Sequence, residues 1–244
     1  MTGTIAIIAA LPGELRPLVS PPRGPRWQRL KASKGTVLWE YKHAGGRWLA
    51  GCSGMGGERA AVAFREMERY ASIDAVCSVG WAGGLNAGMS AASVWYIAQV
   101  IDTQTGEHFS TAQSLLGSTE WPVLATATRV ADAQEKLRLA ASYGASLVDM
   151  EAATIARLAL AKGIPFYCLK AVSDDMDASL PDLNPFVSTD GRMRMAPFLA
   201  HVAVRPRSWA GLARLGRNSD LAAQHLADVI RAWLNEDFAA KGKG

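Results

Sequence analysis

Short apolar runs recur along this chain, and helical periodicity fills the gaps between several of them; that alternation limits the fold more than any other feature. The runs are "TIAIIAA", "TVLWEY", "RWLAGCSG", "AVCSVGWAGG", "SVWYIAQVI", "PVLATAT", "SLVDM" and "PFYCLKAVSD". They have strand length, carry many β-branched or aromatic residues and are set off by turn formers. The helical patterns are "GGERAAVAFREMERYA", "DAQEKLRLAASYG" closing on Gly144, and "EAATIARLALAKG" with Lys162 and Gly163 at its end. A cation and a left-handed glycine both suit a helix C-terminus. A last helix, "SDLAAQHLADVIRAWLNEDF", opens on Ser219 as its N-cap. Strands and helices in this order predict an α/β chain, with a sheet sandwiched between helices.

With 244 residues, the chain suits one domain spanning 1–244 that buries a sizeable core. No apolar run reaches the roughly 18 to 20 residues that a membrane-spanning helix needs. The opening "MTGTIAIIAALPGELRP" has no basic leader and reads as a first strand, so the expected location is cytoplasmic. Cys52, Cys77 and Cys168 lie in apolar contexts without C-x-x-C spacing, which predicts buried free thiols and neither a metal site nor disulfides. The net charge of +4 is unevenly placed: between Phe186 and Arg217 stand Arg192, Arg194, Arg205, Arg207, Arg214 and Arg217 against the single acid Asp190. This belongs to an arginine-rich, proline-marked excursion over residues 178–218 that breaks the strand and helix rhythm before the last helix. The end, "AAKGKG", is expected to fray.

In open α/β sheets, ligands bind where the carboxyl ends of strands converge. Polar residues that follow strands directly are therefore the candidates. They are Glu14 after the first strand, the turn "SGMGGE", the turn "GWAGG", and the acid clusters "DMEA" and "SDDMD" after the last two strands.

The series "IAIIAALPGEL", "SGMGGERAAVA", "SVGWAGGL", "LVDMEAATIARLALAKGIPF" and "LKAVSDDMD" resembles the superfamily of purine nucleoside phosphorylases and methylthioadenosine/S-adenosylhomocysteine nucleosidases. The likeness runs from about residue 4 to residue 177. The region "SLPDLNPFVSTDGRMRM…RPRSWAGLARLGRN" is similar to the tail of its hopanoid-associated branch, whose implied reaction releases adenine from adenosylhopane. The resemblance implies a three-layer α/β/α sandwich with a central mixed sheet, of nucleoside phosphorylase type. It also implies an adenine nucleoside substrate, with an adenosylhopane-like 5′ group as the first expectation and methylthioadenosine or a related thioether nucleoside as the second, no metal or organic cofactor, and a homo-oligomer, dimeric or higher.

Carried over position by position, the resemblance puts the acid that protonates the departing purine at Asp174, after Ser173. Such an acid must hold its proton, which burial and a like-charged neighbour, Asp175 or Asp177, would favour. It makes Glu151 the acceptor for the ribose hydroxyls, with Met150 against the sugar's face and Asp149 as helix support. A carboxylate under the ring also stabilises an oxocarbenium-like transition state. Glu14 falls where the nucleosidases carry the carboxylate that activates water. Met55 and Gly56 are expected along the ribose side of the pocket, and the base-stacking aromatic of the nucleosidases falls near Val130, where this chain has none. In the turn that includes Gly80 and Trp81, the phosphorylases place an arginine and a hydroxyl around phosphate. This chain has no arginine at Ser78, and Trp81 stands in place of the hydroxyl. Hydrolysis is therefore the first expectation and phosphorolysis the second. A nucleoside-binding protein without turnover is the third, on the strength of Trp81. For the excursion, contact with an anionic membrane surface through 186–217, at the inner membrane face, stands beside a lid, an oligomer contact or a solvated helix pair. Nucleic acid is not expected, because basic and aromatic residues do not interleave along a strand.

Overall fold

The computed structural model describes residues 3–24, 26–43, 46–112, 121–176, 178, 184–186, 188 and 209–241. In chain order the elements are β1 (Gly3–Ala9), α1 (Pro12–Val19), β2 (Gln28–Leu30), β3 (Val37–His43), β4 (Gly46–Cys52), α2 (Gly57–Glu68), β5 (Ala75–Gly84), β6 (Val94–Tyr96), β7 (Gln99–Asp102), β8 (His108–Ser110), β9 (Val123–Thr126), α3 (Ala133–Tyr143), β10 (Leu147–Asp149), α4 (Ala152–Lys162), β11 (Phe166–Asp174) and α5 (Trp209–Lys241).

One mixed sheet runs β2-β3-β4-β1-β5-β10-β9-β7-β8, and β11 joins it through β5 and β6. Strand β5 is its spine. It pairs in parallel with β1 through Ala75–Ser78 and with β11 along most of its length, then antiparallel with β10 at Gly83 and Gly84. Strands β1 and β11 thus run in the same direction as β5, and β10 crosses antiparallel beside its last two residues. The β5/β11 register shifts between Val172 and Asp174. That irregularity turns the last residues of β11 out of the regular alternation, as bulges do beside binding sites.

The sheet is buried on both faces. Against one face α1 and α5 pack Leu15, Leu18, Ala222, Leu226 and Ile230 onto Ile5, Ile7, Cys77 and Leu169. Against the other, α2 and α4 pack Ala63, Phe64, Met67, Ile155 and Ala159 onto Ile8, Val76 and Cys168. Helix α3 closes a smaller cluster with Leu139, Leu85 and Val148. This is the three-layer sandwich expected from the sequence, and each large side chain so buried contributes about 1.5–3 kcal/mol. Helices α3 and α4 end at Gly144 and Gly163 with φ of 60° and 64°, a left-handed geometry that a side chain would strain.

Several local expectations need correction. "SVWYIAQVI" is two strands, β6 and β7, that pair with different neighbours, and short strands β2 and β8 carried no apolar signal. The last helix begins at Trp209, so Ser219 is not its N-cap but lies inside it, and the final part of the 178–218 excursion is helical. Glycines 211 and 216 hide this from propensity, while Leu212 and Leu215 keep the helical spacing. Residues 179–183, 187 and 189–208 of the excursion, Asp177 and residues 242–244 lie outside the described residues. Among the described residues no helix is long and apolar enough to cross a membrane. The three cysteines are free and buried, and burial pushes the Cys52 and Cys168 thiols up to about 12. Such thiols do not react readily.

Candidate active site

The sheet's carboxyl ends open onto a cavity of about 250 Å³. All the residues expected at a site line it except Gly56 and Gly80: Glu14, Met55, Trp81, Val130, Met150, Glu151, Ser173 and Asp174. Gly56 and Gly80 meet the same carboxylates from behind. The Gly56 N–H donates to Glu151 Oε1 at 2.7 Å, and Gly80 lies against Glu14.

Glu14 stands in the first turn of α1, two residues after Pro12. It is buried, and its carboxylate is fixed by two backbone donors: Leu11 N–H to Oε2 at 2.6 Å and Trp81 N–H to Oε1 at 2.7 Å. Burial raises its pKa above the usual carboxylate value, while those two bonds and the charge of Lys170 pull the other way. Room for the carboxylate comes from Gly80, whose φ is +131° and where a Cβ would stand 2.5 Å from Glu14 Oε1.

Glu151 occupies the N-cap of α4, yet its side chain makes no capping bond. It accepts instead from Gly56 N–H and, at 3.3 Å, from Met150 N–H. Burial, with Asp149 as a second cause, pushes its pKa up to about 7. Asp149 does cap the helix, accepting from Ala152 N–H at 3.0 Å, and Thr126 donates to its other oxygen at 2.7 Å. It does more than support the helix, because Lys170 of β11 reaches it at 2.8 Å with both side chains almost wholly enclosed. Lys170 also contacts Ser78 Oγ at 3.1 Å. Burial is the largest single influence on the Lys170 pKa and would lower it, but Asp149, with Cys168 and Glu151, together outweigh it and the net shift is upward.

Asp174 does not have the surroundings expected of it. Its close neighbour is an ammonium: Lys136 Nζ of α3 lies 2.5 Å from Oδ2, and donates also to the Asp175 carbonyl at 2.8 Å. Asp175 thus meets the pair through its backbone. Ser173 Oγ donates to Asp174 Oδ1 at 2.6 Å. Trp81 is held in place rather than loose in the pocket, since its indole N–H donates to the Ser219 carbonyl of α5 at 3.0 Å. Sequence reasoning missed Lys136, Lys170, Arg129, and Leu215 with Ser219 from α5; apart from the buried Lys170, all line the cavity.

A second cavity, about 560 Å³, adjoins the first across Met55, Arg129 and Met150. Arg59, Gln104, Thr128 and Thr154 give it a more polar wall, and Asn184 borders it while pairing with both backbone groups of Val130. Among the described residues no cluster of His, Cys, Asp and Glu could hold a metal ion.

The sequence model of the phosphorylase superfamily matches residues 4–121 and 118–203. No curated protein matches the chain. Among solved structures, the fold is similar to that of futalosine hydrolase from Helicobacter pylori, with a TM-score of 0.70 and 16% identity over 97% of this chain and 99% of that one. It is also similar to an H. pylori 5′-methylthioadenosine/S-adenosylhomocysteine nucleosidase, a point mutant holding 5′-methylthioadenosine in its active site; the TM-score is 0.70 and identity 16% over 97% and 100% of the two chains. The 5′-methylthioadenosine nucleosidase of Arabidopsis thaliana gives a TM-score of 0.71 and 17% identity over 96% and 95%.

Proposed function

Because this chain belongs to the phosphorylase superfamily, we propose that it cleaves the N-glycosidic bond of an adenine nucleoside by hydrolysis, releasing adenine. The observation that carries the proposal is the meeting of Glu14, Glu151 and Asp174 around one cavity of about 250 Å³. Breaking a C–N glycosidic bond leaves positive charge on the ribose and negative charge on the purine, so catalysis needs an anion at the sugar and a proton at the base. Glu151 accepts the ribose 2′ and 3′ hydroxyls, with Met150 against the sugar face. Glu14, held by the Leu11 and Trp81 N–H groups, takes the proton of the attacking water. Asp174, with Lys136 bound to it, stands at the purine, and the base is protonated there.

The fixed indole of Trp81 favours hydrolysis over phosphorolysis, since it stands beside Glu14 where phosphate would need cationic donors. The 5′ substituent extends into the adjoining cavity. Its polar wall offers little apolar surface to the polycyclic hydrocarbon of adenosylhopane, whereas the small methylthio group of methylthioadenosine needs less. The test is adenine release from each of these two nucleosides, with and without phosphate. Hydrolysis predicts the same rate in both conditions and a Glu14→Gln variant slower by about 10²–10⁴-fold. Release that requires phosphate makes the protein a phosphorylase, with Arg129 the nearest candidate for holding the anion. Adenine binding without release makes it a nucleoside-binding protein.

A further inference from the structure

The nearest proton-bearing group at the purine end is a cation, because Lys136 Nζ lies 2.5 Å from Asp174 Oδ2 and an aspartate so paired is held as the carboxylate. The proton-rich atom there is Lys136 Nζ. Its side chain is 4% exposed, although it sits in "AQEKLRL", where the helix also leaves Leu137 54% exposed to solvent. Burying an ammonium costs several kcal/mol unless a partner repays it, and a surface alternative was available on this helix. The β5 wall is cut back to admit it: a Cβ on Gly83 would stand 3.2 Å from Lys136 Cε. An ammonium has three N–H bonds. Two go to Asp174 Oδ2 and the Asp175 carbonyl, which leaves one for a ligand in the cavity that Lys136 lines.

We propose that Lys136 is the catalytic proton donor to the departing purine and that Asp174 positions it. This rests on the hydrolysis reading above. As the C1′–N9 bond breaks, its electron pair goes to the base, and N7 takes a proton from Nζ, leaving Lys136 as a neutral amine. The water oxygen bonds C1′ while its proton goes to Glu14. Proton exchange through solvent then restores Glu14 and Lys136, and the net change is nucleoside plus water giving adenine and the free sugar.

The experiment compares 5′-methylthioadenosine with its N7-methyl derivative, which leaves as a neutral base and needs no proton. Wild type, Lys136→Met and Lys136→Arg are assayed on both, and thermal melting checks folding. Lys136→Arg keeps a cation on Asp174 but donates its proton poorly, so it serves where Lys136→Met does not fold. Both variants are expected to lose about 10²–10⁴-fold on methylthioadenosine and to stay within about tenfold of wild type on the methylated compound. Either variant retaining methylthioadenosine turnover within about tenfold, or a folded variant losing both substrates equally, overturns the role of Lys136. Wild type releasing no base from methylthioadenosine, its N7-methyl derivative or adenosylhopane overturns the hydrolysis reading itself, and this inference with it.

Discussion

Replacing Lys170 by Met tests whether the buried ion pair organises the floor of the site. Lys170 and Asp149 lie 2.8 Å apart with side chains 1% and 0% exposed, so neither can turn to water when the other is lost. Removing one partner of such a pair leaves an uncompensated buried charge, at a cost of about 3–5 kcal/mol. In a chain of this size each kcal/mol moves Tm by roughly 2–4 °C, so the melting point is expected to fall on the order of 6–20 °C. Adding Asp149→Asn removes the stranded carboxylate, and the double variant is expected to lose clearly less than the sum of the two single losses. A second readout is independent of stability. Lys170 lowers the Glu151 pKa, so its removal moves the acid limb of activity upward from about 7. Urea unfolding and thermal scans give the first quantity, and a pH–rate profile gives the second. Melting within about 2 °C of wild type, or additive losses in the double variant, would refute the account.

Two further perturbations follow from the geometry. In Gly80→Ala the new Cβ lies 2.5 Å from Glu14 Oε1 at a φ of +131°, so about 1–3 kcal/mol of strain accompanies a displaced carboxylate; kcat should drop by about 10²-fold or more, with adenine inhibition unchanged. Glu151, whose pKa rises from 4.5 to about 7 on folding, favours the fold when protonated. That contribution is complete below pH 4.5 and is lost as pH climbs through about 7, a change of roughly 3 kcal/mol. Activity runs the opposite way, because only the ionised group accepts both ribose hydroxyls. Glu151→Gln should flatten the stability profile and remove the limb near 7 from kcat/KM; a limb that survives the substitution belongs to another group.

The carboxylates could be read from sequence because each directly follows an apolar run, and strands of one sheet deliver their ends to one place. The cations could not be read equally. Lys170 left a signal: a lysine inside "PFYCLKAVSD", a strand destined for burial on both faces, demands a buried anion, and Asp149 was the acid available. Lys136 left none, since "AQEKLRL" reads as an ordinary solvated helix with Leu137 turned inward. The structure instead exposes Leu137 and buries Lys136. Exposing one leucine costs about 1.5–3 kcal/mol, which an ion pair with Asp174 can offset. Local periodicity cannot register a partner from another element. The start of α5 was missed for a similar reason, because its first turns contain two glycines and its place over Trp81 is fixed by a hydrogen bond from β5.

The pairing of charges also divides the four acids that line the cavity by task. Asp149 and Asp174 each have an ammonium within hydrogen-bond reach. Glu14 and Glu151 have backbone N–H donors instead, and burial raises the pKa of both. An anion that the fold leaves without a full counter-ion is stabilised by any positive charge that arrives next to it. In the proposed reaction that charge is the ribosyl cation, which develops only as the glycosidic bond stretches, so the attraction is stronger in the transition state than for the neutral substrate. Supplying both glutamates with cations of their own would remove that difference while improving static stability. The uneven distribution of Lys136 and Lys170 is therefore what a site built to favour charge separation requires, with protons delivered at one end and positive charge received at the other.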